Sequence, residues 1–165
     1  LLGVTFGHSG TGALRITALS GEVLASSQTA ILLPAGELLR SISPVVTGDR
    51  IDDEEEALLI HLTETADFQT DLGAVNTSAA ALDLVFSLHD AAGALLGSMP
   101  LQLQPYGHDQ INGAFAAAGY PDVPDGFATV RTSTPGGSFI ARARVSAIRV
   151  DETGCVRRNS GARLA

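Results

Sequence analysis

Across residues 82–103 the apolar side chains fall on every second position, and that spacing limits the fold more than any other feature of the chain. Leu82, Leu84, Phe86 and Leu88 alternate with Asp83, Val85, Ser87 and His89. Leu95, Gly97, Met99, Leu101 and Leu103 then share a side, with Gln102 and Gln104 opposite. A period of two sorts side chains onto the two faces of an extended strand, whereas a helix needs a period of about 3.6. Between the two runs stands Asp90-Ala91-Ala92-Gly93. Asp at the start of a turn accepts local backbone N–H groups, and Gly reaches positive φ without steric cost, so the runs are expected to close as a hairpin. That gives Asp90 a turn role and argues against reading His89-Asp90 as a proton-transfer pair. Pro100 has no N–H to give a ladder, which places the second strand at a sheet edge or a bulge.

Further strands are expected at 57–62, 68–76, 126–132 and 139–150, with the same alternation in the second and the last. Phe68, Thr70, Leu72 and Ala74 share one face. In the last strand Phe139, Ala141, Ala143, Val145 and Ala147 are expected to point inward. Asn76-Thr77-Ser78 closes its strand with turn residues and also fits the N-glycosylation pattern. Asn112 is predicted to cap a short helix over 113–118, stopped by Gly119 and Pro121 and anchored by Phe115, with His108 and Asp109 in the loop before it. The whole reads as mainly β: an antiparallel sandwich of about eight strands with one short helix. Leu72, Leu84, Phe86, Leu101, Phe115, Val130, Phe139 and Val145 are its expected core.

An echo of the last hairpin lies near the N-terminus. "GALRIT" (12–17) follows the pattern of "GFATVR" (126–131), and "VLASSQ" (23–28) that of "FIARAR" (139–144), with Ser20-Gly21-Glu22 as the turn. Residues 1–50 are therefore expected to hold a hairpin that is part of a module, followed by a connector. Residues 51–150 are expected to form a complete sandwich module and 151–165 a tail. A lone two-stranded hairpin is marginal in water, and its open edges invite other strands. Leu14, Ile16, Val23 and Ala25 are thus the candidate assembly residues, to be docked on the second module or completed by another chain.

The formal net charge is −8, and all ten basic residues are Arg. An acidic chain repels phosphate backbones, so nucleic acid is not an expected partner. Without Lys, Schiff-base chemistry and a P-loop lysine are excluded. Most of the Arg residues lie at or beyond Arg131, densest at Arg157-Arg158, as a solvated strand face and tail would have it. No apolar run approaches the roughly 20 residues of a membrane-spanning helix. Cys155 stands alone, so neither an internal disulfide nor a Cys-based metal site can form.

Catalytic motifs are missing. His8, His61, His89 and His108 make no HxH or HExxH pattern, and Gly-x-Ser-x-Gly does not occur. The Gly-rich "GHSGTG" precedes a predicted strand, whereas phosphate loops precede a helix. The acidic run 51–56 offers Asp52, Asp53 and Glu55 as Ca²⁺ candidates through carboxylate oxygens. It lacks the spacing and the Gly of an EF-hand, and a solvated loop protecting a sheet edge is the simpler reading. No cofactor is implied. Carbohydrate-binding sandwiches present exposed aromatic platforms. Tyr106 and Tyr120 flank the predicted helix, and with His108 they are the candidate ligand contacts.

Three stretches taken together resemble an immunoglobulin-like β-sandwich module that recurs in bacterial secreted and cell-surface proteins. They are "ADFQTDLGAVNTSAAALDLVFSLHDAAGALLGS", "LQPYGHDQINGAF" and "GFATVRTSTPGGSFIARARVSAI". The shared positions are Phe68, Thr70, Leu72, Gly73, Val75, Asn76 and Ser78; Asp90 and Gly93; and Tyr106, Gly107, Gln110, Ile111 and Asn112. Asp71, where a polar amide is common, departs from the pattern, as do the acidic loop and the Arg-rich tail. The resemblance covers about residues 57–150. It implies an extracellular, non-catalytic module for spacing, adhesion or assembly, and it supplies no catalytic residue. The expected partners are proteins, through self-association or neighbouring modules, joined by strand addition or β-edge contacts into a filament or surface assembly. The alternative is a carbohydrate- or ligand-binding, adhesin-like domain with a glycan partner.

Overall fold

The computed structural model describes Gly7 and residues 14–23, 25, 27–33, 36–42, 45–150 and 156–159. By internal contacts the chain divides into two compact units, Leu1–Asp49 and Arg50–Ala165.

In the first unit, β1 (Ser27–Leu33) and β2 (Gly36–Ile42) form an antiparallel hairpin, with Ile31 opposite Leu38 and Leu33 opposite Gly36. A 3-10 turn follows at Thr47–Asp49. The hairpin expected over 12–31 is therefore displaced: residues 14–18 form no strand, and Leu14, Ile16 and Val23 are exposed. Ala25 is half-buried. Loop closure explains the shift. β1 and β2 are separated by only two positions in the sequence, and a longer link would cost more entropy.

The second unit begins with β3 (Ile51–Asp52), β4 (Ala57–Glu64), β5 (Phe68–Asn76), β6 (Leu82–Asp90), β7 (Leu95–Leu103) and β8 (His108–Ile111). A one-turn helix, α1 (Ala114–Ala117), precedes β9 (Val123–Thr132), β10 (Ser138–Val150) and β11 (Val156–Asn159). One antiparallel sheet has the order β4-β9-β6-β7. The other has β11-β10-β5-β8, with β3 also on β10. The arrangement is sandwich-like, because both sheets feed one core. Leu82, Leu84, Phe86 and Leu88 of β6 are buried, and Leu72, Val130, Phe115 and Phe139 join them. No helix among the described residues is long and apolar enough to cross a membrane.

Four details depart from the expected fold. Residues 108–111 are a strand on β5, with His108 opposite Val75, because β5 offers an edge that local pattern does not reveal. The N-cap of α1 is Gly113 at φ 57°, not Asn112, whose Oδ1 accepts from Gln110 Nε2. The β6–β7 register jumps from Leu88–Gly97 to His89–Leu95. That bulge turns Leu96 toward the core and leaves Leu95 exposed beside His89, where strict alternation had put it inside. Part of the expected tail, finally, returns as β11 to pair with β10; Cys155 lies outside the described residues. Pro100 does sit on an edge strand, opposite Val85. Of the expected core, Leu101 and Val145 are only half-buried.

Gly126 is the tightest buried backbone approach between β9 and β6. A Cβ there would lie 2.7 Å from the His89 carbonyl oxygen and 3.0 Å from Phe115 Cζ. The carbonyl belongs to the paired strand and cannot retreat alone. Gly126→Ala is expected to cost about 1–3 kcal/mol in urea unfolding. A loss below about 0.5 kcal/mol, the usual range for surface substitutions, would contradict this packing.

Candidate functional site

The turn after β6 is built from its own residues. Asp90 Oδ1 accepts from Ala92 N at 2.9 Å and from Ala94 N at 2.8 Å, and Gly93 takes φ 86°. His89 is engaged elsewhere. Its ring stacks on Phe127, with centroids 4.6 Å apart and planes 4° from parallel, and its Nδ1 lies 3.3 Å from Gly93 O. The carboxylate serves backbone donors and the imidazole serves a ring and a carbonyl. This geometry is a hairpin turn.

His89 also lines an open groove of about 430 Å³ on the outer sheet face, with Val85, Leu95, Glu56 and Arg131. Arg131 clasps Glu56 through Nε to Oε1 at 2.7 Å and Nη2 to Oε2 at 3.1 Å. The guanidinium holds the Glu56 carboxyl below its ordinary range. The pair is solvent-exposed, so its contribution to stability is small.

Tyr106, His108 and Tyr120 are not brought together. Tyr106, at φ 55°, donates its N–H to Ser78 O near the start of β6. His108 is exposed in β8. Tyr120 lines a shallow depression with Asp90 and Leu96 at the far end of β6. The nine residues of β6 separate these ends by roughly 27 Å. The Ca²⁺ candidates are likewise engaged by the protein. Asp52 Oδ1 accepts from Arg50 Nε, Asp53 Oδ2 from Gly136 N, and Glu55 Oε2 from Asp52 N. Among the described residues no group of three or more His, Cys, Asp or Glu is placed to hold a metal ion. His8 lies outside them. Asn76 of the glycosylation pattern is buried; Nδ2 donates to Ala80 O and Gln104 O, and Oδ1 accepts from Ser78 N.

A buried acidic cluster was not anticipated from sequence. Glu64 ends β4 and Asp71 lies within β5, each 4% exposed. Asp71 Oδ2 accepts from Arg144 Nη2 at 2.6 Å; its Oδ1 accepts from Gln69 Nε2 at 2.6 Å and Gly113 N at 3.2 Å. Glu64 Oε2 accepts from Thr70 N at 3.1 Å, and a second backbone hydrogen bond comes from Phe115. Two carboxylates from two sheets thus hold the N–H groups at the start of α1. A charged residue inside an apolar strand was the available signal, since such residues are rarely buried unless paired. Arg144 stands directly opposite Asp71 in the ladder, as cross-strand charge pairs do.

Burial pushes the Glu64 carboxyl above its ordinary range, and the nearby Asp71 charge adds to the rise, against the backbone donors. The folded state therefore binds this proton more tightly than the unfolded chain. The stabilisation is fully present below the unfolded value near 4.5 and is lost as pH rises through the folded one. Glu64→Gln cannot titrate and leaves one backbone donor poorly matched, so it should be less stable than the parent at acid pH. Urea unfolding at several pH values should show that difference shrinking as pH rises above 4.5. A constant or growing difference would contradict the assignment.

Compared with protein-family models, with curated proteins and with solved structures, the chain matches none.

Proposed function

We propose that the second unit is an immunoglobulin-like module of the kind found in bacterial secreted and cell-surface proteins. In this reading the chain is a non-catalytic structural component that assembles outside the cell through strand edges. The observation that carries the reading is a length of β10 that, among the described residues, is unpaired on one side. On one side β10 pairs with β5 over residues 139–147. On the other, β3 takes Ser138 and Phe139, and β11 takes residues 147–150. Among the described residues no strand pairs with 140–146 on that side. Among the described residues this leaves roughly 23 Å of backbone donors and acceptors without a ladder partner, room for another strand.

Three of the second unit's edge strands are guarded. β7 carries Pro100. β4 is broken by two register shifts and by His61 at φ 57°. β8 has only four residues. Natural sheets blunt their edges in these ways to prevent unwanted pairing, so a long edge left open supports a partner strand. The saccharide alternative has no comparable support, because its tyrosines stand at opposite ends of β6.

Light scattering over a wide concentration range tests the proposal. The mass of the full chain is expected to rise with concentration, and deletion of residues 1–25, which leaves β1 and β2 intact, is expected to return it to that of a monomer. A full chain that stays monomeric throughout, with stability unchanged by the deletion, would overturn it.

A further inference from the structure

Resting on the assembly reading above, we propose that the outer face of the β4-β9-β6-β7 sheet packs on the same face of a second copy and ties assembled chains side by side. Leu58 and Ile60 of β4, Val85 of β6 and Leu95 of β7 are 59%, 57%, 40% and 60% exposed, while their strand neighbours Ala57, Leu84 and Phe86 are buried. Apolar side chains gathered on one surface, unlike those scattered singly, mark an interaction site. The open edge of β10 belongs to the other sheet, so the two contacts do not compete.

Register orders this face into three rows across the strands. His89 stands between Phe127 and Leu95, and Ile60, two residues beyond Leu58 on β4, ends that row. Ser87 stands between Thr129 and Ser98, with Leu58 opposite Thr129. Val85 stands between Arg131 and Pro100, with Glu56 held on Arg131. The rows are self-complementary. A twofold axis along the strands, between β9 and β6, exchanges β4 with β7 and β9 with β6 and lays each row on its own copy. Strands of the two sheets then run nearly parallel, as in aligned sheet packing. Ile60 meets Leu95, Phe127 meets His89, and the bulk of Leu58 meets the small Ser98. Charge also favours a second copy. The chain carries −8 overall, which sets copies against one another, but these rows hold one carboxylate and one guanidinium, already joined. Across the axis Glu56 and Arg131 lie over Pro100 and Val85, so no like charges are opposed.

Area sets the strength. Four strands about 4.8 Å apart and three rows about 6.8 Å deep cover roughly 20 Å by 20 Å, so the contact buries about 800 Å² in all, below the roughly 1,200 Å² of a stable pair. It does not hold two free copies. Copies already lined up through β10 present it repeatedly, and the small contributions then add.

Two experiments on the full chain test this. In a Cys155→Ser background, Leu58→Cys and Ser98→Cys copies are mixed, assembled and mildly oxidised. The mixed disulfide is expected to dominate over the two self-paired products. Within one copy these positions stand three strands apart, roughly 14 Å, beyond the reach of a disulfide. A statistical mixture of products, or none of the mixed one, would overturn the proposal. Ile60→Asp with Leu95→Asp alters exposed positions and should leave thermal unfolding and edge pairing unchanged. In electron micrographs it is expected to turn paired assemblies into single ones, halving their mass per unit length. Assemblies of parental width would overturn the face contact while leaving assembly through β10 standing. A chain that never associates would overturn both readings.

Discussion

Strand β6, flanked by β9 and β7, turns Leu82, Leu84, Phe86 and Leu88 away from water, and the rest of the second unit depends on that face. A slip of one residue would exchange it for Asp83, Val85, Ser87 and His89. Burying the Asp83 carboxylate without partners would cost far more than the fold can spare. Burial thus fixes the register, and the turn chemistry of Asp90 agrees with it. Phe86, Phe115 and Phe139 reach the same core from β6, α1 and β10, supplying volume in a chain that has no Trp.

The short helix shows how strongly tertiary contacts act here. One turn has little stability of its own, since nucleation fixes several residues for each hydrogen bond gained. The start of α1 is held instead by Asp71 and Glu64, carboxylates from strands remote in sequence. The dependence is mutual. Those carboxylates are tolerated in a buried setting because backbone N–H groups and Arg144 meet them.

This mutual dependence also explains what was legible in the sequence. Strands β6 and β7 alternate because one face packs on the core and the other is wetter, so their positions stand out from the residue order alone. Asp90 was legible for a similar reason: its partners, Ala92 and Ala94, lie within four residues. β8 is polar and becomes a strand only through β5. β1 and β2 contain consecutive apolar residues, which hides their period, and Pro34 between them looks like a connector. Glu64, Asp71 and Arg144 come from three strands and are joined by register and packing, so no local spacing could have grouped them.

The Asn76 corner has a consequence for chemical ageing. Asparagine loses its amide when the next backbone nitrogen attacks the side-chain carbonyl carbon and expels ammonia. Here that nitrogen, Thr77 N, donates to Ser138 O at 3.0 Å, while the amide itself is fastened to Ala80 O and Gln104 O. The nucleophile is occupied and the leaving group is anchored, so while folded the protein resists deamidation at this position.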